Sequence, residues 1–373
     1  MQQKKINRFP YITIPYLEGK ECDYIENPQS SVICKKEDIL ISRTGNGVGK
    51  VWTNIEGVFH NNFFKVVPKD NTTNKPFLFY YLNKPQLQFK MRQLAGSGAI
   101  PDLNHGEFYL LPFFEAKTIE QQKIASFLTS VDERLTLLAQ QKEKLELYKK
   151  GVMQQIFPST SSGQAPKLRF KDDNGENYPD WEEKKLGDLG NTFNGLTGKT
   201  KEHFGNGKPY VQYMQIFSGS KINIYDFGFV EIGKNENQSM IQYGDIFFTT
   251  SSETPNEIGT TSVLLDKVGE VYLNSFCFGF RPNSLNELVP EFAQFLFRSK
   301  QMRNKIVPLA QGSTRFNMSK VELMKIDLLL PCEEEQQKIA SFLSAIDVQI
   351  EGVIKKIEQT KLFKKGLLQQ LFV

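Results

Sequence analysis

The chain is short of several things that would have named a chemistry. Its four cysteines, Cys22, Cys34, Cys277 and Cys332, are scattered with no CxxC spacing, and there are only three histidines, His60, His105 and His203. That excludes an ordinary zinc site and a disulfide framework, and it fits a reducing compartment. No apolar run approaches the roughly 20 residues that span a bilayer. The opening MQQKKINRFPYITIPY has no apolar signal core, so a cytoplasmic protein is expected. Charge of either sign is not in excess: the net is +4 over 373 residues, which permits a polyanionic partner without demanding one.

Catalytic signatures are missing as well. Gly45-Asn46-Gly47-Val48-Gly49 lacks the Gly-Lys-Ser/Thr ending of a phosphate-binding loop, and no helix clearly follows it. Asn74-Lys75-Pro76-Phe77 is one residue away from the Asn-Pro-Pro-Phe box of adenine methyltransferases, but no Gly-rich cofactor loop accompanies it. Pro179-Asp180 with Glu182-Glu183-Lys184 imitates the pieces of a nuclease site at a spacing too tight to hold a metal between strands. The histidines have no Asp, Ser or Cys partners at telling distances and are expected in loops or on the surface. No catalytic, cofactor-binding or metal-binding residue is expected in this chain.

What is present is a duplication. EQQKIASFL stands at Glu120–Leu128 and again at Glu335–Leu343, a shift of 215. At the same shift Lys149-Lys150-Gly151 returns as Lys364-Lys365-Gly366, and Gln154–Phe157 returns as Gln369–Phe372. Around these segments apolar residues recur at alternating spacings of four and three. The first copy runs through Ile124, Leu128, Val131, Leu135, Leu138, Leu145, Val152 and Ile156. The second runs through Ile339, Leu343, Ile346, Ile350, Val353, Ile357, Leu367 and Leu371. The pattern predicts two helices of roughly 37 residues, about 55 Å each at 1.5 Å per residue, whose seams pair in a coiled coil. Heptads alone leave parallel and antiparallel pairing open.

Two diverged bodies flank these helices. Asp38-Ile39-Leu40-Ile41-Ser42-Arg43-Thr44 corresponds to Asp245-Ile246-Phe247-Phe248-Thr249-Thr250-Ser251, Asn61-Asn62-Phe63 to Asn274-Ser275-Phe276, Phe77–Leu82 to Phe292–Phe297, and Leu94–Ser97 to Leu309–Gly312. Short β-type runs (39–42, 63–67, 246–250, 271–273, 276–280) alternate with Gly and Asn turns, while 77–94 and 291–309 suit helices. The expected fold is α+β: two pseudo-symmetric bodies, each a mainly antiparallel sheet with a few helices, separated by two long helices. The expected boundaries are 1–116 for the first body, 117–157 for the first helix, 158–180 for a Ser-, Gly- and Pro-rich linker, 181–331 for the second body and 332–373 for the second helix. Most of the 30 phenylalanines are expected in the cores.

These segments resemble the specificity (S) subunit of type I restriction–modification systems. The duplicated EQQKIASFL, KKG and QQ(I/L)F stretches carry the resemblance. So does PKLRF followed by YPDWEEKKLGD over Pro166–Asp188, which is similar to the opening of a target recognition domain. YGDIFF (Tyr243–Phe248) and EDILISR (Glu37–Arg43) look like the central strand of such a domain. The resemblance implies two target recognition domains, each reading half of a split DNA sequence, held apart by an antiparallel coiled coil. It implies that two methylation (M) subunits dock on this chain and bring S-adenosylmethionine, and that restriction (R) subunits add ATP- and Mg-dependent translocation and cleavage. This chain would then read DNA without catalysing anything. One departure stands out: Trp181–Gly205 has no counterpart ahead of Pro10-Tyr11, which matches Pro209-Tyr210. Either the first domain lacks an opening segment or that segment lies upstream.

Base readers should be polar side chains on loops at matching places in the two bodies. In the first body the candidates are Arg43, Thr44, Asn46 and Lys50 after the central strand, with Ser97 and Asn104 in the 96–105 loop. Arg43 suits guanine, Asn46 adenine and Lys50 a phosphate. In the second body they are Thr250, Ser251 and Asn256, then Ser313, Thr314, Arg315 and Asn317, with Lys199 and Lys201 as backbone contacts. A solvated Gly-rich turn is the plain reading of the same loops. Residues 1–119 carry 15 Lys+Arg against 11 Asp+Glu, a net of +4, whereas 157–332 carry 19 against 20, a net of −1. Phosphate neutralisation supplies much of the affinity for DNA, so partner subunits are expected to contribute to the grip. The competing class is a coiled-coil scaffold with two protein-binding arms. Near-verbatim helices beside unlike loops suit two readers of different half-sites better than two copies of one arm.

Overall fold

The structure, a computed structural model, describes residues 8–20, 22–69, 72–114, 116–157 and 166–372. It divides into two units. The first joins residues 1–141 with 353–373, and the second spans 142–352. Each unit thus holds one body together with one end of each long helix.

In the first unit the strand Ile39–Ser42 is buried along its whole length and lies between Val51–Trp52 and Phe63–Val66, antiparallel to both. A strand buried on both faces reads as a continuous apolar run, which is why Ile-Leu-Ile stands out in the sequence. Asp38, at its start, takes the Lys35 N–H and the ammonium groups of Lys65 and Lys75. Burial works against its charge, but these donors outweigh it and hold the carboxyl below the usual carboxylate range. The expected 77–94 helix is two helices, Lys75–Leu82 and Pro85–Leu94. Pro85 accounts for the break, because it has no N–H to continue the ladder. The Asn74 side chain caps the first of them by accepting from Phe77 N–H at 3.0 Å. One core cluster unites sheet and helices: Ile39, Ile41, Phe64, Phe77 and Tyr81 pack with Leu128 of the first long helix and with Leu368 and Phe372 at the end of the second.

The second unit repeats this plan with more sheet. Ile246–Thr249 is fully buried in a four-stranded antiparallel sheet ordered Thr261–Val263, Ile246–Thr249, Cys277–Pro282, Gly190–Asn194. Gly279 is required there, since a Cβ would stand 2.0 Å from the ring of Phe193 on the neighbouring strand. Phe204–Val211 pairs antiparallel with Gly228–Val230 and parallel with Tyr272–Leu273, whereas the other strand pairs among the described residues are antiparallel. The fully buried Asp245 receives both arms of Arg281, at 2.8 and 2.7 Å. The expected 291–309 helix becomes Pro290–Leu296, Lys300–Ile306 and a 3-10 turn at Val307–Leu309.

The long helices span Thr118–Ile156 and Glu333–Gln370, 39 and 38 residues. In the first unit Asp132 pairs with Lys364 at 2.5 Å, and in the second Lys149 pairs with Asp347 at 2.6 Å. Moving 17 residues up the first helix, from 132 to 149, moves 17 down the second, from 364 to 347, so the two run antiparallel. Asp132 and Lys149 become Asp347 and Lys364 under the shift of 215, so the two bridges are one contact seen twice. Each lysine also lies over an aromatic ring at a matching position, Lys364 over Tyr80 at 5.4 Å and Lys149 over Phe295 at 5.0 Å. The expected linker is only partly loose. Residues 158–165 lie outside the described residues, but from Arg169 onward the segment is bound to the second unit. There the fully buried Glu335 is bonded by Arg169 Nη2 at 2.8 Å, Trp181 Nε1 at 3.0 Å and Phe170 N–H at 3.3 Å, whereas its counterpart Glu120 is exposed. The next residue of each copy locks its helix start alike: Gln121 donates to Ala116 O and accepts from Asn74 N–H, at 2.8 Å each, and Gln336 donates to Pro331 O at 3.0 Å and accepts from Val289 N–H at 2.9 Å.

Candidate nucleic-acid interface

In both units the loop after the central strand is fastened to a second, distant loop. In the first unit Leu103 N–H donates to Arg43 O at 2.9 Å, Gly45 N–H donates to Pro101 O at 3.0 Å, and Thr44 bridges Asp102. Leu103 is fully buried and anchors the join. The 43–50 turn is closed by Gly49 N–H on Ser42 O at 2.9 Å. Gly49 has φ +78° and backs onto Met91, so a side chain there would be both strained and crowded. In the second unit Met318 N–H donates to Thr250 O at 3.0 Å, and Ser251–Ser252 pairs with Phe316–Met318, setting Ser251 opposite Asn317. Leu103 and Met318 are related by the shift of 215, as are Asp102 and Asn317. Arg43 and Thr250 are related by the shift of 207 that carries Asp38 to Asp245. The same backbone hook therefore gathers both candidate loops in each unit, over separations that no local pattern reveals.

The side chains on this shared backbone are unlike. Arg43 sends Nε to Asp102 Oδ1 at 2.7 Å and Nη2 to Oδ2 at 2.9 Å. That bond holds the Asp102 carboxyl below its ordinary range and takes up the Nε/Nη2 edge of the guanidinium, leaving Nη1 outside the pair. Asp102 stands in register with Asn317 of the second unit, on the same candidate loop. Lys50 stands 3.8 Å from Glu18 at the surface. Ser97 is exposed, and Asn104 caps the short helix His105–Phe108 in a capping box with Glu107. The Asn46 side chain lies outside what the structure describes.

In the second unit Ser313, Thr314, Arg315 and Asn317 are exposed on one rim, and Arg315 lies over the exposed ring of Phe276 at 5.5 Å. Thr250 is half-buried and Ser251 buried, its carbonyl accepting from the Tyr213 hydroxyl at 3.1 Å. Asn256 is exposed in the Pro255–Glu257 turn. Arg303 grips that turn from behind, donating to Gly259 O, Asn256 O and Ile258 O at 2.8, 2.9 and 2.6 Å. Three donors into one loop make Arg303 a positioning residue, and composition alone gave no sign of it.

Lys199 departs from expectation. Its side chain is 2% exposed and its ammonium lies 2.5 Å from both Glu231 O and Glu236 Oε2. Together with bonds from Gln238 and Gly233, it lowers the Glu236 carboxyl to about 2. The ammonium expected at the DNA backbone is thus already paired within the fold. Lys201, at the start of the Lys201–His203 turn, is exposed. His203 bonds Thr200, while His60 and His105 lie against the rings of Phe63 and Phe64.

Two sheet bodies with unlike loops on one repeated backbone define a protein built from paired recognition domains. A family model described as "Type I restriction modification DNA specificity domain" matches residues 2–147 and again 178–360. The chain belongs to this family and carries two such domains. It is 25% identical over 368 residues to the type I restriction enzyme MjaVIII specificity subunit of Methanocaldococcus jannaschii, covering 97% of this chain and 85% of that one. It is 30% identical over 203 residues to the putative MjaX specificity subunit of the same organism, covering 53% of this chain and 47% of that one. The fold is similar to the crystal structure of a type I restriction–modification S subunit from M. genitalium, with a TM-score of 0.57 at 17% identity over 100% of this chain and 90% of that one. A chain from a structural study of type I complex assembly gives a TM-score of 0.58 at 17% identity, over 98% and 91%.

Proposed function

We propose that this chain is the DNA-reading subunit of a type I restriction–modification complex, with each unit reading one half of a split target and no catalysis in the chain itself. The observation that carries the reading is the repeated backbone hook with unlike side chains: Arg43–Asp102 in one unit, and Thr250, Ser251, Arg315 and Asn317 in the other. Like frames position their loops alike, and unlike side chains then read unlike half-sites. A scaffold with two protein-binding arms has no need of that difference.

The partners are two copies of a methylation subunit, joined by restriction subunits, with S-adenosylmethionine, ATP and Mg on those partners. Support comes from the helix surfaces. Leu147 and Tyr148 are 59% and 53% exposed, and their counterparts at the shift of 215, Leu362 and Phe363, are 69% and 54% exposed. Matching apolar patches suit two copies of one partner. Among the described residues no helix is long and apolar enough to cross a membrane, and the cytoplasm, where DNA and these partners meet, is the proposed location.

The deciding experiment is to map genomic methylation with and without this gene. A bipartite adenine-methylated motif that disappears on deletion is expected. Unchanged methylation in a strain that expresses the methylation subunits would overturn the reading.

A further inference from the structure

Five arginines stand in the second unit, and four are spent within it. Arg169 bonds Glu335 and Asp180, and Arg281 bonds Asp245. Arg298 and Arg303 donate to four and three backbone carbonyls. The fifth, Arg315, is exposed and makes no hydrogen bond or ion pair among the described residues. It is nevertheless held in place. It stands at the tip of the hairpin that pairs Ala310–Gln311 with Phe316–Met318, and its guanidinium lies over the ring of Phe276, 5.5 Å from the centre. That ring is itself 53% exposed. The fold thus keeps an unspent fork of five donors flat against a half-bare aromatic face.

Phe276 belongs to the hook. Its carbonyl accepts from Thr250 N–H at 2.9 Å, just as Asn62 O accepts from Arg43 N–H at 2.7 Å in the first unit. The turns around these two residues are built alike. Cys277 N–H donates to Asn274 O and Phe63 N–H donates to His60 O, while Phe276 N–H meets Asn274 Oδ1 at 2.8 Å and Asn62 N–H meets His60 Nδ1 at 3.3 Å. Pairing with the central strand gives the same register, Cys277 opposite Thr249 and Phe63 opposite Ser42. Phe276 therefore matches Asn62, one residue away from the Phe63 that the sequence sets against it. Arg315 matches Ile100 by the shift of 215 that carries Asp102 to Asn317. Asn62 is exposed and Ile100 is 74% exposed. Each unit presents one apolar and one polar side chain at these two places, and the places are exchanged between the units.

We infer that Phe276 is a specificity-determining residue of the second unit, which with Arg315 reads two neighbouring base pairs: Phe276 the methyl group of a thymine, Arg315 the O6 and N7 acceptors of a guanine. The chemistry separates the two roles. A phenyl ring offers base edges no hydrogen bond and gains by covering the thymine methyl, the apolar group of the major groove. A guanidinium fork matches the paired acceptors of guanine, and a fork already flat on a ring has less freedom to lose when it binds. Because the ring and the fork touch, the bases they meet are adjacent. The inference rests on the proposed reading of DNA and adds to it the chemistry of one half-site.

The test uses the full chain assembled with its methylation subunits. The half of its methylated motif that Arg315→Ala relaxes is expected to contain a thymine next to a guanine. A duplex with uracil in place of that thymine lacks only the methyl group and should bind the unaltered complex about fourfold more weakly, the share of one buried methyl. Phe276→Leu, which keeps an apolar side chain, should show the same discrimination. Phe276→Ala should bind both duplexes equally and relax the motif at the thymine alone. A duplex with 7-deazaguanine beside the thymine should weaken the unaltered complex and leave Arg315→Ala indifferent. A relaxed half-site without that thymine–guanine step would overturn the inference and leave the bipartite reading standing. So would an unaltered complex indifferent to uracil, or Phe276→Ala as sensitive to it as the parent. Methylation that persists after deletion of the gene would overturn the reading itself and the inference with it.

Discussion

The first and second units differ least where they hold the long helices and most where they face outward. Phe77 against Phe372 at 5.3 Å and Phe157 against Phe292 at 5.7 Å are one contact repeated at the shift of 215, as are the two Asp–Lys bridges and the two glutamine locks. Duplication has kept the joints. At the hooked loops the backbone has been kept and the side chains exchanged. The charged, mutually satisfied Arg43–Asp102 pair of one unit is replaced by the neutral Thr250 and Asn317 of the other. A frame that must position something is held constant, while a surface that must tell two things apart is free to vary.

Mutations can break or sharpen that contrast. The largest effect is expected at Glu335. Its removal leaves Arg169 and Trp181 without their buried acceptor, so Glu335→Ala should destabilise the second unit by about 3–5 kcal/mol. Glu120→Ala, the same change in the same nine-residue context, should stay within about 0.5 kcal/mol. Denaturant unfolding of both variants checks this, and equal losses would erase the distinction between the units. The glutamine locks should instead behave alike. Gln121→Ala and Gln336→Ala each orphan a backbone N–H and should each cost about 1–3 kcal/mol.

Recognition should split along the same line. Arg315→Ala is expected to weaken one half-site by about 1–3 kcal/mol and relax its methylation motif, leaving the other half unchanged. Asp102→Ala, which frees the Arg43 fork, should alter the other half only. Sequencing the methylated motifs of both strains gives the answer, and a change in both halves from either mutation would dissolve the assignment of one half per unit.

The smallest effect is on pH. The Asp38 carboxyl is held below its unfolded value, so the stability it contributes is present above about pH 4 and is lost as pH falls through its lower folded value. Asp38→Asn should flatten the acid limb of the first unit's stability curve, followed by thermal denaturation between pH 6 and pH 2. An unchanged acid limb would show that Lys65 and Lys75 do not act through this carboxylate.

Much of the frame was legible because its signals are periodic or repeated. A shift of 215 can be read by eye, heptad spacing announces a helix before any contact is known, and an unbroken Ile-Leu-Ile or Ile-Phe-Phe run between polar turns marks a strand buried on both faces. The candidate loops were legible as polar segments at matching places. Three features of the site were not. Lys199, expected as a contact to the DNA backbone, is folded inward onto Glu236. Asp102 lies 59 residues from the arginine it occupies, counting from 43 to 102. Arg303 sits on a helix and holds a loop that begins some 47 residues earlier, counting from 256 to 303.

Local sequence, then, sets which stretches are helical, which strands are central and that the whole is built twice, because periodicity and propensity act over a few residues and survive any tertiary surroundings. Whether a given charge is buried or bathed in water is decided by what the chain brings back against it from far away. Glu120 and Glu335 stand in identical nine-residue words, and among the described residues an arginine and a tryptophan are returned to the second and not to the first.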